Sequence, residues 1–429
     1  MDKVEKFLEV KLMPVGEKLA NNRYLQAIKN AFIMFSPFLI VGSVFLLASS
    51  FPIPAYQEFM TNTFGETWSM VVEIPFNAAY SFMAIFLTFL VGYNFAIIED
   101  VDPVSSGLLS AIVFFILTPL TDAGDLGTVL SLKWLGSNGI FVGFLAAFTT
   151  VNIFKQFIRR DFVIKMPEQV PPEVARSFSA IIPATTIMIL ALIVRMVFSI
   201  TEFGTIHAFI FGVIAIPVGR FGTSFFGSLL YSIALTLLWS VGINSGSMIN
   251  GILRPFWLTN QTENIEALKA GAEQLPHVIT EQFFDMIWMG GSGVTLGLLI
   301  AMILTSKSRQ NKAISKLAFA PGLFNINEPV LFGLPVILNP IMLIPFNLVP
   351  LVMITTQYIA MNIGLVARPT GVIIPWTTPP VISGFLITSS ITGALMQIVN
   401  LLIAALIYYP FVRIVDKQNF AEEQGEQHE

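Results

Sequence analysis

The sequence predicts an all-α integral membrane protein with about ten transmembrane helices. Of its 429 residues, 55% are hydrophobic and only 12% are charged, and the mean hydropathy is +0.75. Soluble domains, in contrast, contain about a quarter charged residues. Apolar stretches long enough to cross a bilayer recur along the whole chain, and a helix satisfies every backbone hydrogen-bonding group within such a stretch.

Several stretches have the length and composition of a transmembrane helix. They are residues 27–51, 76–98, 104–120, 137–158, 178–200, 223–241, 283–305, 341–363 and 385–412. Further apolar pieces near 206–218, 242–256 and 364–380 are interrupted by Gly, Pro or Asn. We interpret these pieces as half-helices, hairpins or an extra short span, which brings the total to about ten crossings.

The distribution of basic residues predicts the orientation in the membrane. Most of the 23 Lys and Arg fall in four clusters, which are residues 3–29, 155–176, 307–316 and 413–417. Cytoplasmic loops are enriched in Lys and Arg, so we expect all four clusters and both termini on the cytoplasmic side. The acidic stretch 52–75 contains no Lys or Arg and is predicted to face out.

The composition argues against several kinds of site. The absence of Cys excludes a disulfide framework, a thiolate metal site and a cysteine nucleophile on this chain. His207, His277 and His428 share no ligand spacing, so we expect no metal and no cofactor. A net charge of -4 gives no basic excess for nucleic acid. The charged N-terminus lacks a signal-peptide pattern, and we expect it to be retained.

The most informative stretch is residues 319–340, FAPGLFNINEPVLFGLPVILNP, in which one carboxylate, Glu328, lies among three Asn and four Pro. An unpaired carboxylate costs about 3 kcal/mol or more at the centre of a bilayer, and the prolines prevent one continuous helix. Broken helices at membrane depth are tolerated where they line a cavity enclosed by protein. The stretch therefore predicts a re-entrant hairpin of short helices that forms a solute site.

Glu328 itself has two interpretations at this point. It either forms an ion pair with an intramembrane Arg such as Arg254 or Arg368, or it accepts hydrogen bonds or a proton from a polar solute. The neighbouring Asn325 and Asn327 favour a solute, because each amide offers both a donor and an acceptor to a hydroxyl-rich ligand.

Two further clusters combine aromatic rings with hydroxyl and amide groups. Residues 238–251, LWSVGINSGSMING, contain Trp239 among several Gly, Ser and Asn. Residues 374–380, IPWTTPP, contain Trp376 and Thr377 on a segment that three prolines keep irregular. Tryptophan rings stack on sugar rings, whereas the alternatives are an interfacial role for Trp239 and tight helix packing of the glycines. The three clusters together predict a cavity for a neutral polyhydroxylated molecule.

A glycine-rich run, residues 290–293 (GGSG) followed by Gly297, is superficially similar to a nucleotide-binding fingerprint. The fingerprint requires a preceding strand, and no strand pattern precedes this run. Gly293 and Gly297 have GxxxG spacing inside a predicted span. We therefore interpret the run as a place of close helix packing.

Four segments of the chain contain longer motifs. They are MPVGEKLANNRYLQAIKNAF (13–32), GGSGVTLGL (290–298), PGLFNINEPVLFGLPVILNP (321–340) and IPWTTPPVISGFL (374–386). With these segments the chain closely resembles the enzyme IIC permeases of the bacterial phosphotransferase system, in the lactose/cellobiose/diacetylchitobiose family. The resemblance covers essentially the whole chain, and its NINEP motif is highly specific.

This resemblance implies a homodimeric, multi-pass permease of the bacterial inner membrane, surrounded by membrane lipid. Residues 1–205, with about five helices, would form the dimer contact, and residues 206–429 would form a transport domain with two re-entrant hairpins around a β-linked disaccharide. In such permeases the 6-hydroxyl of the sugar is presented to a phosphocysteine on a cytoplasmic IIB subunit. IIB is in turn supplied by IIA and the general phosphotransferase proteins, and the sugar enters as its phosphate.

The same resemblance assigns roles to individual residues. By motif, Glu328 is the glutamate near the reactive hydroxyl, Trp239 and Trp376 stack on the sugar rings, and Asn327 is a neighbouring sugar ligand. One departure is Asn244, which stands where the family usually has histidine. Asparagine can hydrogen-bond a hydroxyl but accepts no proton at neutral pH. The departure predicts either a different sugar or slower phosphorylation.

Two other functions remain open from the sequence. One is a membrane sugar receptor that binds IIB without transport, for which the Asn244 departure is the support. The other is a facilitator or cation-coupled transporter in which Glu328 is the proton site.

Overall fold

Most of the described residues are helical. A computed structural model describes Pro14, Lys18 and residues 21–49, 51, 53–167, 169–171, 178–240, 246–334, 336 and 339–425. In its first half, the helices are α1 (Arg23–Ser49), α2 (Pro54–Phe64), α3 (Trp68–Val72), α4 (Ile74–Tyr80), α5 (Met83–Glu99), α6 (Pro103–Leu117), α7 (Leu132–Leu135), α8 (Ile140–Arg159) and α9 (Ile181–Ser199).

Helices α1, α5, α6 and α8 pack against one another and form the centre of this first group. Small residues allow the close approach of α5 and α6. A Cβ atom on Gly92 would lie 2.4 Å from Ser110 Oγ, and one on Gly107 would lie 2.9 Å from the Phe89 ring. Close backbone contact between apolar helices is typical of membrane proteins, where van der Waals packing drives helix association.

A short β-hairpin follows α6 and was not predicted. Strand β1 (Leu120–Asp122) pairs antiparallel with β2 (Thr128–Leu130), with Leu120 opposite Leu130. The turn between them contains Gly124 and Gly127, whose φ angles are +63° and +70°. Glycine adopts such left-handed angles without strain, so the two glycines between short apolar runs were the sequence signal for this hairpin.

The second half contains shorter and more interrupted helices. They are α10 (Ile206–Phe209), α11 (Ile216–Gly222), α12 (Phe225–Ser240), α13 (Gly246–Lys269), α14 (Glu281–Asp285), α15 (Thr295–Thr305), α16 (Arg309–Leu323), α17 (Glu328–Gly333), α18 (Pro340–Asn362), α19 (Ile382–Thr388) and α20 (Ile391–Gly425), with a π-helical segment (Ile210–Ala215) between α10 and α11. Helices α15, α18 and α19 pack on α20, and α12 packs on α18. The central helix of this group is therefore α20.

Five helices in the described ranges are long and apolar enough to cross a membrane, or seven if two bent pairs each count as one span. The bent pairs are α4 with α5, at 48°, and residues 206–222 with α12, at 74°. The predicted span 283–305 is wrong as a single helix. It consists of the short α14, a glycine turn and the eleven-residue α15, because three of its glycines adopt positive φ angles.

The proline-rich stretch is broken into pieces, as its prolines require. Helix α16 ends at Leu323, α17 has six residues, and α18 starts at Pro340. Asn339 is the N-cap of α18, where its Oδ1 accepts hydrogen bonds from the backbone of Ile341 at 3.0 Å and Met342 at 3.3 Å. Glu328 is therefore the first residue of the short helix α17, which lies between the longer α16 and α18 in the chain.

Charged residues tie helix ends together at two places. Arg23 at the start of α1 donates to Glu99 at the end of α5 at 2.6 Å, and Lys155 near the end of α8 also pairs with Glu99. Near the end of α20, Asp416 accepts hydrogen bonds from the backbone of Lys307 at 2.7 Å and Ser308 at 3.1 Å, just before α16. Arg23 of the first basic cluster and Lys155 of the second thus meet at Glu99, and Lys307 of the third meets Asp416, which lies within the fourth.

Candidate functional site

A cavity of about 250 Å³ collects most of the residues that the sequence singled out. Five of the seven predicted binding residues line it, namely Trp239, Asn325, Asn327, Glu328 and Trp376. The other lining residues are Tyr231, Leu235, Asn250, Asp285, Trp288, Gly291 and Ser292. Thr377 is half-buried beside the cavity segment and is not in its wall, and Asn244 lies outside the described residues.

The depth of this cavity follows from the helices that lead to it. Helices α15 and α16 pack side by side, and basic Lys307 lies in the short link between them, just before Arg309, the first residue of α16. At 1.5 Å per residue, the far ends of these helices lie roughly 16–22 Å from that link. The glycines at 290–293 and Asn325 are found at those far ends, so the cavity is separated from the basic link by more than half the thickness of a bilayer core of about 30 Å.

Glu328 lines the cavity without a protein partner. Its side chain is exposed, and no hydrogen bond or ion pair joins its carboxylate to another described residue. The alternative of an ion pair is wrong for both arginines. Arg254 pairs with Glu281 at 2.9 Å, and Arg368 donates to the backbone carbonyl of Leu275 at 2.6 Å. The Glu328 carboxylate is therefore free to accept hydrogen bonds from a molecule in the cavity.

Asn325 holds two walls of the cavity together. Its Oδ1 accepts a hydrogen bond from the Gly290 amide at 2.8 Å, and its Nδ2 donates to the carbonyls of Trp376 at 2.6 Å and Thr378 at 3.2 Å. Its φ is +63°, a left-handed conformation that asparagine tolerates better than most residues. Because both ends of the amide are occupied by the protein, Asn325 positions the Trp376 segment against the glycine turn.

Asn327 also stabilises the glycine turn. This side chain is 4% exposed, and its Nδ2 donates to the Ser292 carbonyl at 3.0 Å. Within the described part of the chain its Oδ1 has no hydrogen-bond donor, so the oxygen remains available to a ligand hydroxyl. Asn327 is thus both a support for the turn and a candidate ligand.

The glycine turn at residues 290–293 has a different role from the one predicted. Helix α15 begins only at Thr295, so Gly293 and Gly297 do not form a GxxxG pair within one helix. Gly291 has φ +92°, and a Cβ atom there would lie 2.7 Å from Asn327 Cγ. Both glycines of the GxxxG spacing still lie at close packing contacts, since a Cβ on Gly293 would lie 2.2 Å from the Phe346 ring and one on Gly297 would lie 2.5 Å from that of Ala404. The turn brings backbone atoms into the cavity wall, a close approach that glycine allows because it has no Cβ.

Aromatic rings form the apolar walls of the cavity. Trp239, near the end of α12, is only 7% exposed, whereas Trp376, on the irregular segment after α18, is 61% exposed. Tyr231 on α12 also lines the cavity and donates its hydroxyl to Asn250 Oδ1 at 2.8 Å. Two tryptophan faces and a carboxylate are groups that bind the apolar faces and the hydroxyls of a sugar, respectively.

Asp285, at the end of α14, is a second carboxylate in the wall that the sequence analysis missed. It is half-buried and forms no hydrogen bond or ion pair with any residue in the described ranges. The signal was the same as for Glu328, a single acid in an apolar run, here FFDMIW. We overlooked it because residues 283–305 read as an ordinary span.

The chain is similar to known proteins over nearly its whole length. Residues 29–350 match the family model described as "Phosphotransferase system, EIIC". The chain is 42% identical to the "PTS system cellobiose-specific EIIC component" of Geobacillus stearothermophilus, over 99% of this chain and 97% of that protein. It is 31% identical to the "PTS system lactose-specific EIICB component" of Streptococcus mutans serotype c, over 96% of this chain and 72% of that protein.

A solved structure is similar over nearly the full length. It is the crystal structure of the transporter ChbC, the IIC component from the N,N'-diacetylchitobiose-specific phosphotransferase system, with a TM-score of 0.93 and 40% sequence identity over 98% of this chain and 99% of that one. The family model, the relatives and the shared fold all point the same way. The chain therefore belongs to the EIIC family, the sugar permeases of the phosphotransferase system.

Proposed function

We propose that this permease imports a β-linked disaccharide and presents its 6-hydroxyl to a phosphorylated IIB subunit. The observation that carries the proposal is the unpartnered Glu328 carboxylate, which lines one cavity with Trp239 and Trp376. Similarity to proteins specific for cellobiose and diacetylchitobiose supports a β-linked disaccharide as the substrate.

In this proposal, the catalytic contribution of the chain is positioning and charge management. Glu328 accepts a hydrogen bond from the 6-hydroxyl and fixes its oxygen for attack on the phosphorus atom. The S–P bond of the IIB phosphocysteine breaks, an O–P bond to the sugar forms, and the hydroxyl proton passes to Glu328. Trp239 and Trp376 would stack on the sugar rings, while Asn327 Oδ1 would accept a further hydroxyl bond.

A phosphocysteine donor would lie outside these 429 residues, since they contain no cysteine. The lactose-specific EIICB relative extends beyond the region that this chain matches, which is 72% of its length. That relationship supports a IIB partner that approaches the cytoplasmic side, with IIA and the general phosphotransferase proteins upstream.

The proposed arrangement places both termini in the cytoplasm. The charged contacts of Arg23 with Glu99, and of Glu99 with Lys155, bring the first two basic clusters to one surface, and Asp416 brings the third to the fourth. In this proposal both pairs of clusters face the cytoplasm, because cytoplasmic loops are enriched in basic residues. The division into a dimerising part (1–205) and a transport part with two re-entrant hairpins (206–429) belongs to the same proposal. The packing of α6 and α8 on α5, and of α15, α18 and α19 on α20, supports it.

A cation-coupled transporter is the second candidate, because two unpartnered carboxylates, Asp285 and Glu328, line the same cavity. Labelled disaccharide uptake into vesicles that contain phosphorylated IIB separates the candidates. The proposal predicts sugar phosphate inside the vesicles. Free sugar that accumulates with a proton or Na⁺ gradient would support cation coupling, and saturable binding without uptake would support a sugar receptor.

A further inference from the structure

A second cavity, of about 230 Å³, lies outside the site described above. Its walls include Asn138, Phe141, Arg220, Glu263 and His277. None of these residues lines the central cavity, and the two cavities are of similar size. The volume therefore gives room for the same kind of ligand.

The second cavity is at the membrane surface opposite the basic clusters. Asn138 lies two residues before the start of α8, and Arg159, within the second basic cluster, is the last residue of the same helix. A helix of 20 residues is about 30 Å long, the thickness of a bilayer core. With the orientation proposed above, the cavity is on the outer side of the membrane.

The two cavities are separated along α13. Asn250 lines the central cavity and Glu263 lines the outer one, and these residues are about 20 Å apart along the helix axis. Trp257, between them, is 1% exposed. Its ring contacts Tyr231 and Phe284, with centroids 5.0 and 4.7 Å away. This aromatic cluster closes the direct path, so a ligand in the outer cavity has not yet reached Glu328.

The polar groups of the outer cavity suit a neutral, hydroxyl-rich ligand. Arg220 and Glu263 carry opposite charges in the same wall, and Glu263 also contacts His277 Nε2. Asn138 Oδ1 is buried and has no donor among the described residues, an acceptor that calls for a ligand or water hydroxyl. The Phe141 and Phe256 rings pack with centroids 4.7 Å apart at a tilt of 34° and form an apolar wall, the kind of surface on which a sugar ring packs.

We infer that the outer cavity is a capture subsite, which binds one end of the disaccharide before the sugar passes the aromatic cluster to Glu328. Asn138 Oδ1 accepts a sugar hydroxyl there, and Glu263 and His277 supply a further acceptor and donor. The inference rests on the proposed function for the identity of the sugar. According to this inference, the outer cavity selects among sugars before the central cavity binds one.

The absence of cysteine gives a clean test in the full-length protein. In the variant Thr223→Cys the introduced thiol, in the cavity wall, is the only one, and a membrane-impermeant maleimide is added to right-side-out vesicles. Cellobiose is the probe. When cellobiose is present at ten times its dissociation constant for the outer cavity, labelling of the thiol should slow about tenfold, because only permease with an empty outer cavity reacts. The exposed Glu273→Cys, on a nearby loop outside the cavity, is the control and should react at the same rate with and without sugar.

Two further substitutions, each combined with Thr223→Cys, show in which cavity cellobiose binds when it protects the thiol from labelling. Asn138→Ala should raise the cellobiose concentration for half-protection about three- to tenfold, the effect of one lost hydrogen bond. Glu328→Gln should leave that concentration unchanged. The inference is overturned if cellobiose gives no protection, if Thr223→Cys reacts only from the inner side, or if Glu328→Gln abolishes the protection. None of these readouts requires phosphorylation, so a permease that forms no sugar phosphate would refute the proposed function and leave this result standing.

Discussion

The substitution Gly291→Ala tests how the glycine turn builds the sugar site. Gly291 has φ +92°, and a Cβ atom would lie 2.7 Å from Asn327 Cγ and 2.9 Å from the Asn325 carbonyl oxygen. The left-handed backbone costs alanine about 1–2 kcal/mol, and displacement of Asn327 breaks its hydrogen bond to Ser292, worth about 0.5–1.5 kcal/mol. Relief of this strain moves the turn and Asn327 out of position.

We therefore expect the disaccharide affinity of Gly291→Ala to fall about 10- to 100-fold, since 1.4 kcal/mol corresponds to a factor of ten. Isothermal titration of cellobiose into the purified permease measures this change. The matched control is Gly65→Ala, because Gly65 has φ +84° but no atom within 4 Å of the added Cβ. The control carries the backbone strain alone and should keep the wild-type dissociation constant. Equal affinity in Gly291→Ala and wild type would refute the role of the turn.

Three other substitutions test separate parts of the structure. Asn325→Gly keeps the positive φ but removes three hydrogen bonds; sugar affinity should fall at least tenfold while circular dichroism stays native, and unchanged affinity would count against its positioning role. Asp416→Ala removes the acceptor of the Lys307 and Ser308 amides just before α16 and should lower stability by about 1–2 kcal/mol in a thermal-shift assay, whereas an unchanged midpoint would contradict this. Gly297→Leu places a side chain where its Cβ is 2.5 Å from that of Ala404; gel filtration should show aggregated protein, and a native elution profile would contradict the packing.

Long apolar runs made much of the fold predictable. The span predicted at 27–51 corresponds to α1 (Arg23–Ser49), and the one at 178–200 corresponds to α9 (Ile181–Ser199), because hydropathy over twenty residues determines what can cross a bilayer. The prediction for 283–305 was wrong because average hydropathy ignores glycines that adopt left-handed angles. Apolar composition alone does not separate a span from two short helices around a turn.

The sequence predicted those parts of the site in which a charged side chain has a high free-energy cost in apolar surroundings. Glu328 stood out because an intramembrane acid is costly, and the same argument applied to Asp285 would have found the second carboxylate. Asn325 was selected as a ligand from its amide chemistry, yet both ends of that amide bind protein backbone. Such contacts join segments 35 and 51 residues apart, and the sequence contains no local signal for that pairing.

The central claim is that the Glu328 carboxylate holds a sugar hydroxyl inside the cavity. It is tested most directly by the cellobiose dissociation constant of purified Glu328→Gln, compared with wild type and with Glu422→Gln, a charge change at an exposed position near the end of α20. A hydrogen bond to a charged group contributes about 1.5–3 kcal/mol, so the account predicts binding about 10- to 150-fold weaker for Glu328→Gln and unchanged for Glu422→Gln. Wild-type affinity in Glu328→Gln would contradict it.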